Sequence, residues 1–156
     1  MANEMDTLAI TLALIRRFEG LYKAPYLCPA GVPTIGYGAT YYEDGNRVTL
    51  TDPAITKERA EQLLLWHVSR VYAPAVLTLC PGVTEPGLLA ALIDFTFNLG
   101  AGNLRQSTLR RKVIAQDWAG LPAEFRKWVR AGGKVLRGLV IRREAEIVVM
   151  LNKGSD

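Results

Sequence analysis

Apolar residues recur at helical spacing near the start of the chain, at Leu8, Leu12, Ile15 and Phe18. They predict an amphipathic helix with Asp6 or Thr7 as its N-cap and Gly20 as a left-handed stop. Glu19 therefore falls in the last helical turn. From Val32 to Leu50 the pattern changes to Gly, Pro, Tyr, Thr and Val. The EDGN stretch at 43–46 is expected to turn TIGYGATYY back into RVTL, which gives a small antiparallel sheet.

Further on, Ala60, Leu63, Leu64, His67, Val68, Val71 and Tyr72 form a wide apolar stripe. The stripe predicts a long helix capped by Thr56, ending near Pro74 or Pro81 and joining two lobes. A second helix, Pro86 to Leu99, is expected to be capped by Thr84 and stopped by Gly100 and Gly102. Its ALIDFTF stretch is apolar nearly all round, as in a central buried helix. Shorter helices are expected at about Leu104 to Gln116, Pro122 to Ala131 and Leu139 to Leu151. There is no repeat and no low-complexity linker. The expected fold class is α+β and mostly α, in one domain: an N-terminal helix and β lobe at about 1–55, a connecting helix at about 56–80 and a helical lobe at about 81–156.

With 156 residues, 49% of them hydrophobic, such a domain buries enough core to fold without staples. Nineteen Lys and Arg against fifteen Asp and Glu leave a net charge of +4, which favours polyanions without choosing among nucleic acid, anionic lipid and wall polymers. Cys28 and Cys80 are the only cysteines and His67 the only histidine, too few for a zinc site or a disulfide framework. A single Cys28 to Cys80 bridge stays open, with two core thiols the commoner case. LAITLALI is far shorter than a membrane span and lacks the flanks of a signal peptide, so a soluble chain made in a cytoplasm is expected.

The run FEGLYKAPYLCPAGVPTIGYG, Phe18 to Gly38, carries the candidate chemistry. A carboxyl group at the end of a buried helix beside a glycine-rich hairpin suits a general acid, because partial desolvation favours its protonated form. The plain alternative for Glu19 is a solvated carboxylate. A helix C-terminus disfavours a negative charge, so its position calls for a nearby arginine.

Glu19, eight residues, Cys28, five residues and Thr34, followed by TIGYG, resemble the motif of the phage-type lysozymes, the muramidases of glycoside hydrolase family 24. The resemblance continues in FNLGAGN (Phe97 to Asn103), STLRRK (Ser107 to Lys112) and FRKWVRAGGKVLRGLVIRREAE (Phe125 to Glu146). It implies a lysozyme-like fold and hydrolysis of the β-1,4 bond between N-acetylmuramic acid and N-acetylglucosamine in peptidoglycan. It also implies a monomer without metal or cofactor that makes no stable membrane insertion and leaves the host cytoplasm through a holin. Glu19 would be the acid, with Cys28 and Thr34 on the water side of the sugar.

Cys28 departs from the commoner aspartate, and a thiol with a pKa of roughly 8.5 is a weaker electrostatic partner than a carboxylate near neutral pH. Its alternative is a small packing residue; for Thr34 it is an ordinary strand threonine. The resemblance further implies substrate contacts from Gly36, Tyr37, Gly38, Asn98 and Arg143. The alternatives are a twist for the two glycines and a helix cap for Asn98. Arg143 is expected to pair with Glu19, and Arg142 to face solvent. Trp128 reads as core more readily than as a sugar platform, and His67 as a surface or core-edge residue with no role. Two rivals remain: a lytic transglycosylase acting on the same bond, and a non-catalytic wall or nucleic-acid binder. Against nucleic acid, the basic residues never concentrate beyond LRRK and VIRRE.

Overall fold

The computed structural model describes residues 2–152, with side chains from Asp6 onward; the extreme ends of the expected domain lie outside the described residues. Helix α1, Ala2–Glu19, begins earlier than the expected caps, so Asp6 and Thr7 lie inside it. It ends as expected, with Gly20 at φ 71° and its N–H bonded to the Arg16 carbonyl at 3.2 Å.

The small sheet pairs different segments from those expected. Strand β1, Tyr22–Leu27, runs antiparallel to β2, Pro33–Gly36, with Tyr26 opposite Thr34. The ladder is irregular between Tyr22 and Tyr26, where Pro25 has no N–H to donate. The EDGN stretch does turn the chain back, with the Tyr42 N–H on the Asn46 carbonyl at 2.9 Å and the Val48 N–H on the Thr40 carbonyl at 3.0 Å, around a bridge from Tyr41 to Arg47 too short to make a strand. Ile35, Ala39, Val48 and Leu63 close a small core under this lobe.

Helix α2, Lys57–His67, is capped as expected: the Thr56 hydroxyl accepts the Arg59 N–H. The helix continues through a π-helical turn, Val68–Tyr72, into α3, Ala73–Leu79, and stops short of Pro81. Pro74 does not end it. Lacking an N–H and pressing its ring toward the carbonyl four residues back, Pro74 disfavours tight α-helical closure over Arg70, and the wider turn accommodates it.

Helix α4, Pro86–Leu99, is buried nearly all round and packs against α1 and against α8, Arg137–Leu151. Its N-cap is Glu85 rather than Thr84, and Gly100, at φ 92°, stops it. Gly102 instead falls inside α5, Ala101–Gln106. Ser107 breaks the expected 104–116 helix by capping α6, Thr108–Ile114, through the Arg110 N–H at 2.9 Å. A 3-10 turn, Trp118–Gly120, leads into α7, Leu121–Arg126. In place of the last turns of the expected 122–131 helix stands a two-residue hairpin, β3 (Arg130–Ala131) with β4 (Lys134–Val135), turned by Gly132 and Gly133. Trp128 packs edge-on against Phe95 at 5.4 Å, which is the core position weighed for it. Among the described residues no helix is long and apolar enough to cross a membrane.

Candidate active site

Glu19 leaves the end of α1 at the rim of the β1–β2 hairpin with its side chain 22% exposed. Its Oε2 accepts a hydrogen bond from Arg142 Nη1 at 2.7 Å. Its Oε1 lies against Gly38, where a Cβ would stand 2.9 Å away, so a side chain at 38 would collide with the carboxylate. Gly38 also has φ 85°, a conformation that glycine adopts readily.

The arginine on Glu19 is Arg142, not Arg143. Both arginines are buried, against the expectation that one of two neighbours must face outward. Helix α8 has partners for each. Arg142 bridges Glu19 and Asp94, bonding the Asp94 carboxylate through Nε at 2.9 Å and Nη2 at 2.8 Å. Arg143 bonds Glu146 at 2.9 Å, the Asn98 Oδ1 at 2.8 Å and the Trp128 carbonyl at 3.3 Å. Asn98 is therefore no helix cap: Arg143 holds its oxygen and leaves its amide nitrogen available to another partner.

Burial opposes the charge on Arg142, but the Asp94 and Glu19 carboxylates outweigh it and hold the guanidinium charged. Asp94, likewise opposed by burial, stays below the usual carboxylate range because of Arg142. Glu146 goes the other way: burial foremost, then the neighbouring Asp94 carboxylate, push it well up.

Cys28 and Thr34 meet at the far end of the hairpin. Backbone groups hold the Cys28 loop closed: Cys28 N–H donates to the Val32 carbonyl at 3.0 Å and Gly31 N–H to the Cys28 carbonyl at 2.8 Å. The Val32 backbone amide foremost, with the Ala30 and Gly31 backbone and the Thr34 hydroxyl, holds the thiol below the usual cysteine range. Thr34 is buried and donates to the Val32 carbonyl at 2.8 Å. Tyr26 links the two ends of the site: besides its burial and Tyr22, the charges of Glu19 and Cys28 raise its hydroxyl. Both cysteines are free, with Cys80 buried.

The structure does not bring every expected residue to this rim. Tyr37 is buried and donates to Glu61 at 3.0 Å, where Glu61 also pairs with Arg16 at 2.7 Å, so it ties α2 to α1. Gly36 faces α2, with Ala60 3.5 Å from where its Cβ would be. His67 is buried rather than at the surface or core edge; its Nδ1 lies 3.0 Å from the Leu63 carbonyl, and burial keeps the ring neutral. Reasoning from the sequence missed Arg142, Asp94 and Glu146. A carboxylate inside ALIDFTF was the available signal, since a buried charge demands a cation.

The phage lysozyme family model matches residues 16–146. An endolysin from Acyrthosiphon pisum secondary endosymbiont phage 1 is 37% identical over 139 residues, covering 86% of this chain and 90% of that protein. The solved endolysin from Escherichia coli O157:H7 phage FAHEc1 superposes with a TM-score of 0.82 at 31% identity, over 94% of both chains. The muramidase domain of SpmX from Asticaccaulis excentricus gives 0.76 at 29% identity, over 91% of this chain and 95% of that one. With Glu19, its arginine and the Cys28–Thr34 pair arranged around one hairpin, and a family match spanning most of its length, this chain belongs to the phage lysozyme family.

Proposed function

We propose that the protein is an endolysin: a muramidase that hydrolyses the β-1,4 bond between N-acetylmuramic acid and N-acetylglucosamine of bacterial peptidoglycan, and so lyses the host. The observation that carries this reading is the division of labour on Glu19, whose Oε2 is taken by Arg142 while Oε1 faces the hairpin at Gly38. Oε1 is the atom that would give its proton to the leaving glycosidic oxygen. On the other side of the sugar, Cys28 and Thr34 would place and activate the attacking water. The proposal extends to the whole chain acting as one catalytic unit, as a monomer, and reaching the wall from the host cytoplasm after holin-dependent release.

Digestion of purified peptidoglycan in ¹⁸O-water tests the reaction. Hydrolysis should give reducing muramic acid ends that carry ¹⁸O by mass spectrometry. Unlabelled 1,6-anhydro ends would instead identify a lytic transglycosylase.

Cys28 separates this chain from the aspartate pattern, and its substitutions have opposite signs under the two readings. If its thiolate activates water, Cys28→Asp keeps or raises specific activity, Cys28→Ala loses about 10²-fold, and alkylation inactivates the wild type. If Cys28 only packs, alanine is tolerated and aspartate, as an unpaired charge, destabilises. Turbidity assays on variants checked by circular dichroism decide; a folded, fully active Cys28→Ala protein would remove Cys28 from the chemistry.

A further inference from the structure

Asp94 is a carboxylate in the middle of the apolar helix α4 and is fully buried, an expensive place for a charge with no task. Its geometry is specific. The Arg142 fork spends two nitrogens on Asp94, at 2.9 and 2.8 Å, and points the third at Glu19, at 2.7 Å. One guanidinium thus spans a dry carboxylate and one at the rim. A bidentate pair fixes the plane of the fork, and with it the position of Nη1. Behind the fork, Arg143 pairs with Glu146 at 2.7 Å, and burial together with the neighbouring Asp94 carboxylate pushes Glu146 well up.

An arginine paired with Glu19 alone would hold that carboxylate ionised, whereas a general acid must carry a proton. The groups facing Glu19 are Arg142 from α8, Tyr26 from β1 and Tyr72 from the π-helical turn. Arg142 in turn faces Asp94 from α4 and the Phe18 ring of α1 at 5.4 Å. Asp94 faces Arg142, Arg143 and Glu146 of α8. Among the described residues, Asp94 is the group that opposes the Arg142 charge from behind.

We infer that Asp94 is a positioning residue for Glu19: through Arg142 it fixes the place of the Glu19 carboxyl and offsets enough of the guanidinium charge for that carboxyl to be protonated when it acts. The inference rests on the reading of Glu19 as the acid.

On soluble glycan strands, Asp94→Asn is expected to move the alkaline limb of the kcat/KM profile down by about one pH unit. At pH 7 it should lower kcat about tenfold, with KM unchanged. Leu109→Ala, a truncation in the fully buried core of α6, supplies the comparison: it should cost stability and leave the limb in place. A folded Asp94→Asn enzyme with the wild-type limb would overturn the inference. Should the asparagine variant not fold, Asp94→Glu decides, because it keeps the charge and displaces it by one methylene. It should leave the limb in place and lower kcat at unchanged KM; wild-type kcat would overturn the inference. Glu19→Gln measured alongside separates the two claims. If it retains activity the acid reading fails, whereas an inactive Glu19→Gln with an unmoved Asp94→Asn limb rejects the role of Asp94 alone.

Discussion

Glu19→Gln should abolish wall lysis while leaving the protein folded. The amide retains the size of the side chain, and its oxygen still accepts from Arg142 Nη1, so the contact of 2.7 Å survives in kind. Arg142 also keeps both of its bonds to Asp94, so no guanidinium is stranded. What is lost is the proton that the leaving oxygen needs, and removing a general acid costs about two to four powers of ten in rate. Turbidity clearing of chloroform-treated cells measures the loss, and circular dichroism confirms the fold. Substantial lysis by the variant would end the assignment of Glu19 as the acid.

Arg142→Ala should be among the most destabilising single changes in the molecule. It removes the cation between two carboxylates and leaves Asp94, fully buried, without either of its short hydrogen bonds. Breaking a buried pair from one side costs about 3–5 kcal/mol, a large part of a typical domain's stability, and a Tm lower by about 10 °C or more. Arg143→Ala gives the contrast. Its main acidic partner, Glu146, is already pushed toward its neutral form, so the loss leaves no bare charge of comparable cost. Arg143→Ala should therefore melt at a higher temperature than Arg142→Ala and keep the wild-type pH profile of activity. Differential scanning calorimetry of both variants checks the order; equal melting temperatures would contradict the separation of roles. The pH dependence has a definite sign. Asp94 lies below its unfolded value in the folded state, so its ion pair stabilises above about pH 4 and the benefit disappears as acid titrates it. Glu146 lies above its unfolded value, so it favours folding in acid and loses that contribution as the pH rises.

Local rules located much of this site. The Gly20 stop, the Thr56 cap and the span of α4 are each decided within a few residues, where cap chemistry and periodicity operate, while the grouping of Glu19, Cys28 and Thr34 comes from the resemblance to the family. The failures share a different cause. Arg142 and Arg143 are adjacent, and a helix with one solvent face would expose one of them; instead Arg142 meets Glu19 of α1 and Asp94 of α4, and Arg143 meets Asn98 at the end of α4 and the Trp128 carbonyl. That arrangement belongs to helix packing, which periodicity along one helix does not encode. Strand β1 was missed because Lys23 and Pro25 break its pattern, and its pairing with β2 is set by the loop at Cys28. Tyr37, Gly36 and Gly38 lie within three residues of one another, yet only Gly38 reaches Glu19, because the other two are drawn to α2.

The hydrogen bond between Glu19 and Arg142 joins positions 123 residues apart, and the one between Asp94 and Arg142 joins positions 48 apart. During synthesis the ribosome therefore releases the hairpin and the acid long before the residue that completes them, and contacts of such separation form late. Until α8 emerges, Asp94 has no cation and α4 has no neighbour over its carboxylate face. A nascent or prematurely terminated chain can carry the entire Glu19 to Thr34 segment and still have no assembled charge network. For an enzyme that attacks its host's envelope, the order of translation itself delays competence until α8 has been made.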